Sequence, residues 1–89
     1  MITLIARHPV ADYDAWRTVF DEFYPVRVKA GVIGESVYRS IDDPNEVTVV
    51  LDFSTEEAAR AFPDNTEIKG ATHKAGDIGT FTQWFAAKE

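Results

Sequence analysis

Asp52, Tyr38 and Arg7 bring a carboxylate, a phenol and a guanidinium onto three segments of the chain that alternate polar with apolar residues. Alternation at period two sends every second side chain to one face of a strand. The three segments therefore turn these groups toward a common face, joined there by Val50, Thr82 and Trp84. A carboxylate as base, a phenol as donor and an indole as wall suit removal of a proton from an aromatic carbon acid. The structural alternative is an Arg7–Asp52 ion pair that fixes strand register, since such pairs also arise without a catalytic role. His73 is the third proton-transfer candidate, in the last helical turn before Gly76 and beside Lys74. It reads either as a general base or as a surface cation interacting with the helix dipole. His8, before Pro9, reads as a loop residue or as a pocket residue.

Other chemistries lack their residues. There is no cysteine, which removes disulfides, thiolate metal sites and a cysteine nucleophile together. No glycine-rich phosphate loop, nucleophile elbow or paired-histidine spacing occurs. No cofactor and no metal is therefore expected. A net charge of −6 without a basic run repels phosphate backbones, so nucleic acid is not an expected partner. The stretch ITLIARHPV after Met1 is short and broken by Arg7, unlike a signal peptide or a membrane span. A cytoplasmic location without membrane attachment is expected.

The elements that must position these groups follow from periodicity. Ile2 to Arg7 alternates as a strand, ended by His8-Pro9. Asp12 or Asp14 can cap a helix with apolar residues at Trp16, Val19, Phe20, Phe23 and Val26, a stripe wide enough to cover a sheet. Pro25 inside it must kink or break the helix, and Gly31 stops it. Val32 to Ile41 and Val47 to Phe53 read as two strands around the turn Asp42-Asp43-Pro44-Asn45. Gly34 hints at a bulge. Ser54 and Glu57 match a capping box for a second helical region, interrupted at Pro63-Asp64-Asn65 and resumed from Thr66 to Ala75. Ile78 to Phe85 reads as the last strand.

The order β-α-β-β-α-β predicts one α+β domain over residues 1–89, a ferredoxin-like four-stranded antiparallel sheet with both helical regions on one face. Ile2, Leu4, Val37, Ile41, Val47, Val49, Leu51, Phe53, Phe81 and Phe85 are assigned to the helix-covered side. Thr3, Ile5, Arg7, Ser36, Tyr38, Ser40, Thr48, Val50, Asp52, Thr80, Thr82 and Trp84 fall on the other. That second face is too apolar for water and too polar for a dry core. It predicts a homodimer in which two sheets meet around a wet or ligand-filled space, with a small apolar or aromatic ligand as the expected occupant. A chain this short also gains stability from a partner subunit.

The segments VADYDAWRTVFDEF, GVIGESVYRSIDDPNEVTVVLDFST, EEAARAF and EIKGATHKAG resemble the dimeric α+β barrel proteins. These include antibiotic-biosynthesis-monooxygenase-like domains and small polyketide cyclases. The resemblance spans nearly the whole chain and is densest at DDPNEVTVVLDF. It implies a cofactor-independent monooxygenase or a cyclase acting on an aromatic or polyketide-like molecule. The alternative it leaves is a non-catalytic binding or interaction module. Haem-degrading relatives carry an Asn on the first strand, a Trp near the end of the third and a His on the second helix. This chain has no Asn there, Phe53 at the second place and Thr72 at the third. His73 is one position on, about 100° around a helix.

Overall fold

The computed structural model describes residues 1–74 and 81–89, with the backbone alone over 71–74. Its elements run β1 (Ile2–Pro9), α1 (Tyr13–Glu22), α2 (Tyr24–Lys29), β2 (Val32–Arg39), β3 (Glu46–Phe53), α3 (Glu56–Ala61), a 3-10 turn (Phe62–Asp64), α4 (Thr66–Lys74) and β4 (Thr82–Ala87). The four strands form one antiparallel sheet in the order β2-β3-β1-β4. This is the ferredoxin-like α+β arrangement expected from the pattern of elements. No helix among the described residues is long and apolar enough to cross a membrane.

Local chemistry explains the boundaries. Asp12 caps α1, its carboxylate accepting from the Asp14 amide at 3.1 Å. The chain breaks at Phe23, between α1 and α2, because Pro25 has no amide hydrogen to continue the ladder and is tolerated only in the first turn of the new helix. Gly31 ends α2 with φ +104°, a conformation other residues rarely adopt, and a Cβ there would press on Ala58 at 3.2 Å. Asn45 ties the β2–β3 turn to the start of α1. Its carbonyl accepts from the Val10 amide at 2.8 Å and its side chain from the Tyr13 amide at 3.0 Å. Asn65 caps α4 through the amides of Glu67 and Ile68.

Several expectations change in detail. β1 continues through His8 and Pro9, which pair with Val47 and Glu46. β2 stops at Arg39, because the Ser40 hydroxyl takes the amides of Asp42 and Asp43 and turns the chain. Ile41, assigned to the helix side, is consequently fully exposed in that turn. Thr55, not Ser54, caps α3, accepting from the Ala58 amide at 3.2 Å, so the Ser54–Glu57 box is not the cap in use. The bulge at Gly34 is present, with the register shifting between Val32 and Gly34. Gly76, Ile78 and Thr80 lie outside the described residues.

Register fixes which side chains share a face. Across the helix side run the rows Val32–Phe53–Ile2–Ala87, Glu35–Leu51–Leu4–Phe85 and Val37–Val49–Ala6–Gln83. Leu4, Val47, Val49, Leu51 and Phe53 from the sheet meet Trp16, Ala59 and Phe62 from the helices, and these side chains form the core. The opposite rows are Gly34–Asp52–Thr3–Ala86, Ser36–Val50–Ile5–Trp84 and Tyr38–Thr48–Arg7–Thr82. No described element covers that face, and Tyr38 and Trp84 are 59% and 45% exposed on it.

Candidate functional site

A cavity of about 330 Å³ lies between the sheet and the helices. Leu4, Ala6, Val49 and Leu51 make its floor, and Trp16, Val19, Phe20 and Phe23 its roof. Ala6 is the small member of its row and leaves room that a longer side chain would fill. Phe62, Pro63 and Ile68 close one side. The polar side chains that reach it, among the described residues, are His8, Arg27, Lys69 and Gln83.

Arg27 holds the roof in place. Its Nε and Nη2 donate to the two carboxylate oxygens of Glu35 at 2.8 and 3.0 Å, and its Nη1 donates to the Phe20 carbonyl at 2.6 Å. The guanidinium also lies 3.6 Å over the centre of the Phe20 ring. A bidentate pair of this kind is strong and directional, and it fastens the break between α1 and α2 to β2. Only 4% of Arg27 is exposed. The sequence offered one signal for this burial, since Arg27 follows Phe20 by seven positions and so stays on the same helical stripe. His8 is buried too, stacked on Phe81 with ring centres 4.2 Å apart and set edgewise to Trp16 at 5.9 Å. Continuing the alternation of Ile2, Leu4 and Ala6 by one step would have found it.

The six sheet residues expected to carry chemistry stand on the face opposite this cavity. Asp52, Tyr38, Arg7, Trp84, Thr82 and Val50 all stand on the open face, as the alternation required, and none lines the cavity. Arg7, Thr82 and Tyr38 share one row, and Val50 and Trp84 the next. Asp52 is four residues further along β3 from the Tyr38–Arg7 row, about 13 Å at strand rise. The Arg7–Asp52 ion pair, the structural alternative, is not formed. Arg7 pairs with Glu46 at 3.0 Å, and Asp52 accepts from the Thr3 hydroxyl at 2.8 Å. Cross-strand register decides this, because Thr3 sits directly opposite Asp52 while Arg7 sits opposite Thr48. His73 belongs to α4, the helix that also supplies Ile68 and Lys69 to the cavity, but its side chain lies outside the described residues. Phe53, at the place where haem-degrading relatives carry Trp, is sealed in the core and does not reach the cavity.

Residues 1–74 match the family model described as antibiotic biosynthesis monooxygenase. The chain belongs to that family. Solved structures agree on the fold. A candidate antibiotic biosynthesis monooxygenase from Bordetella bronchiseptica superposes with a TM-score of 0.82 at 19% identity, covering 99% of this chain and 96% of that one. A second candidate from Caulobacter crescentus gives 0.77 at 20% identity, covering 99% and 90%. SnoaB, a cofactor-independent oxygenase from Streptomyces nogalater, gives 0.76 at 14% identity, covering 99% and 94%. At these identities the likeness of the monooxygenase-family chains is one of fold. No curated protein sequence matches the chain.

Proposed function

We propose that this antibiotic-biosynthesis-monooxygenase-family protein binds a planar aromatic or polyketide-like molecule in the cavity between sheet and helices and oxygenates it without a cofactor. The observation that carries this reading is the cavity itself, walled by Trp16, Phe20, Phe23, Phe62 and Phe81. Its size falls in the range of small-molecule sites, which are mostly apolar with a few polar groups. The family and the likeness to a cofactor-independent oxygenase support the chemistry.

In such a reaction a doubly activated CH₂ flanked by aromatic rings loses a proton to a base, and the carbanion passes electrons to O₂. The balanced outcome converts R₂CH₂ and O₂ to R₂C=O and H₂O, so the substrate supplies every electron. An apolar cavity favours it by excluding water from the intermediates. Attack of the same carbanion on a carbonyl of the ligand would make the protein a cyclase instead.

The open face belongs to the proposal as the surface on which a second copy packs, its apolar row of Ile5, Val50 and Trp84 flanked by Thr, Ser, Arg7 and Asp52. With Asp52 and Tyr38 on that side, His73 is the expected proton-transfer residue carried by a cavity-lining helix. Oxygen uptake with an anthrone-type carbon acid tests the reading. Consumption of one O₂ per ketone formed, without added flavin, metal or haem, is the expected result. Tight binding of the carbon acid with no uptake and no ring closure would leave a binding module.

A further inference from the structure

The chain carries 15 acidic and nine basic side chains other than histidine, yet among the described residues no carboxylate lines the cavity, while Arg27 and Lys69 do. Their situations differ. Arg27 is fully engaged by Glu35 and the Phe20 carbonyl, so its charge is already balanced. Lys69 makes no ion pair among the described residues. Lys69 and Gln83 are exposed although they line the cavity, which puts both at its mouth. Lys69 comes from α4 in the helix layer, and Gln83 comes from β4 in the sheet.

We infer that the ligand is an aromatic anion of about two to three fused rings, its rings in the apolar interior and its oxyanion at the mouth against the Lys69 ammonium, with the Gln83 amide as a neutral donor. This rests on the cavity being the ligand site. The size follows from volume, since a cavity of about 150 Å³ takes one benzene ring and this one is about twice as large. The sign follows from the lining. A cation beside a low-dielectric wall, with no carboxylate among the wall's described residues, attracts an anion more strongly than it would in open water. A ligand anion would be repelled in most places on a protein of net charge −6, and this mouth is an exception to that field.

Calorimetric binding of 2-naphthoate and of its uncharged isostere 2-naphthamide separates charge from shape. The native protein should bind naphthoate roughly five- to tenfold more tightly, between the value of an exposed ion pair and that of a shielded charge-assisted hydrogen bond. Lys69→Met, which keeps the apolar stem, should abolish the preference and leave naphthamide binding unchanged, and Lys69→Arg should retain it. Lys69 is at the surface, so the melting temperature of both variants should stay at the native value. Equal affinities in the native protein, or a preference that survives in Lys69→Met, would overturn the inference and leave the cavity as a site for neutral aromatics. Failure of both compounds to bind would remove the cavity reading and this inference with it.

Discussion

The two faces of the sheet are made by the same four strands, and they differ in what covers them. On the helix side, Leu4, Val47, Val49, Leu51 and Phe53 are sealed under α1, α3 and the 3-10 turn, except where Ala6 leaves a cavity. On the open side, Ile5, Val50, Tyr38 and Trp84 lie among threonines and charged groups with no described element above them. Apolar rows on both faces therefore do different work. One holds the fold together and shapes the cavity, and the other leaves an apolar row outside the described core, where the proposal puts a second copy.

The largest test of that division is Phe53→Ala. Phe53 is fully buried, so its removal should cost about 4 kcal/mol in urea unfolding. Val50→Ala, one face away and three residues earlier, should cost under about 1 kcal/mol when measured at dilutions that keep the chain single. Similar losses at the two positions would erase the distinction between the faces.

Arg27→Met comes next. It strands the Glu35 carboxylate and frees the Phe20 carbonyl, and should cost about 3 kcal/mol. Adding Glu35→Leu should recover most of the loss, because a buried pair is often no better than apolar residues of similar volume. Aromatic ligands should bind the single variant more weakly, since the roof over the cavity is no longer fastened to β2. A stability change with unaltered ligand affinity would show that the roof holds its shape without the pair.

Alternation fixed most of this in advance. The open-face set of Arg7, Tyr38, Val50, Asp52, Thr82 and Trp84 followed from period two, because a strand's side chains have nowhere else to point. What alternation could not supply was distance along the sheet. Asp52 and Arg7 share a face but stand at different rows, and only register separates them. The cavity was legible in its parts, the aromatic stripe of α1 and the small Ala6. Its position was not, because both faces carried enough aromatic and polar groups to propose one. Sequence reading misses Arg27, and leaves His8 between a loop and a pocket role, for a common reason. A charged or titratable residue within an apolar pattern reads as the end of the pattern, whereas each continues it, with charge balanced by Glu35 in one case and the ring packed on Phe81 in the other.

On the open face, Trp84→Ala should leave the folded single chain nearly unchanged and weaken self-association by about 2 kcal/mol or more, as central aromatic anchors of interfaces do. Sedimentation across a dilution series measures it. The smallest expected effect is that of Asp52→Asn on ligand affinity, within twofold of the native value, because Asp52 faces away from the cavity. A tenfold loss would move the ligand to the space between sheets.

The chain has two tryptophans, one on each side of the sheet, and they make the decisive measurement possible. Trp84→Phe leaves Trp16 in the cavity roof as the sole indole, and Trp16→Phe leaves Trp84 on the open face. Titration of each variant with 2-naphthoate should quench the fluorescence of Trp16 to saturation while that of Trp84 changes little. Saturable quenching of Trp84 with an unresponsive Trp16 would put the ligand on the other face of the sheet and contradict the account.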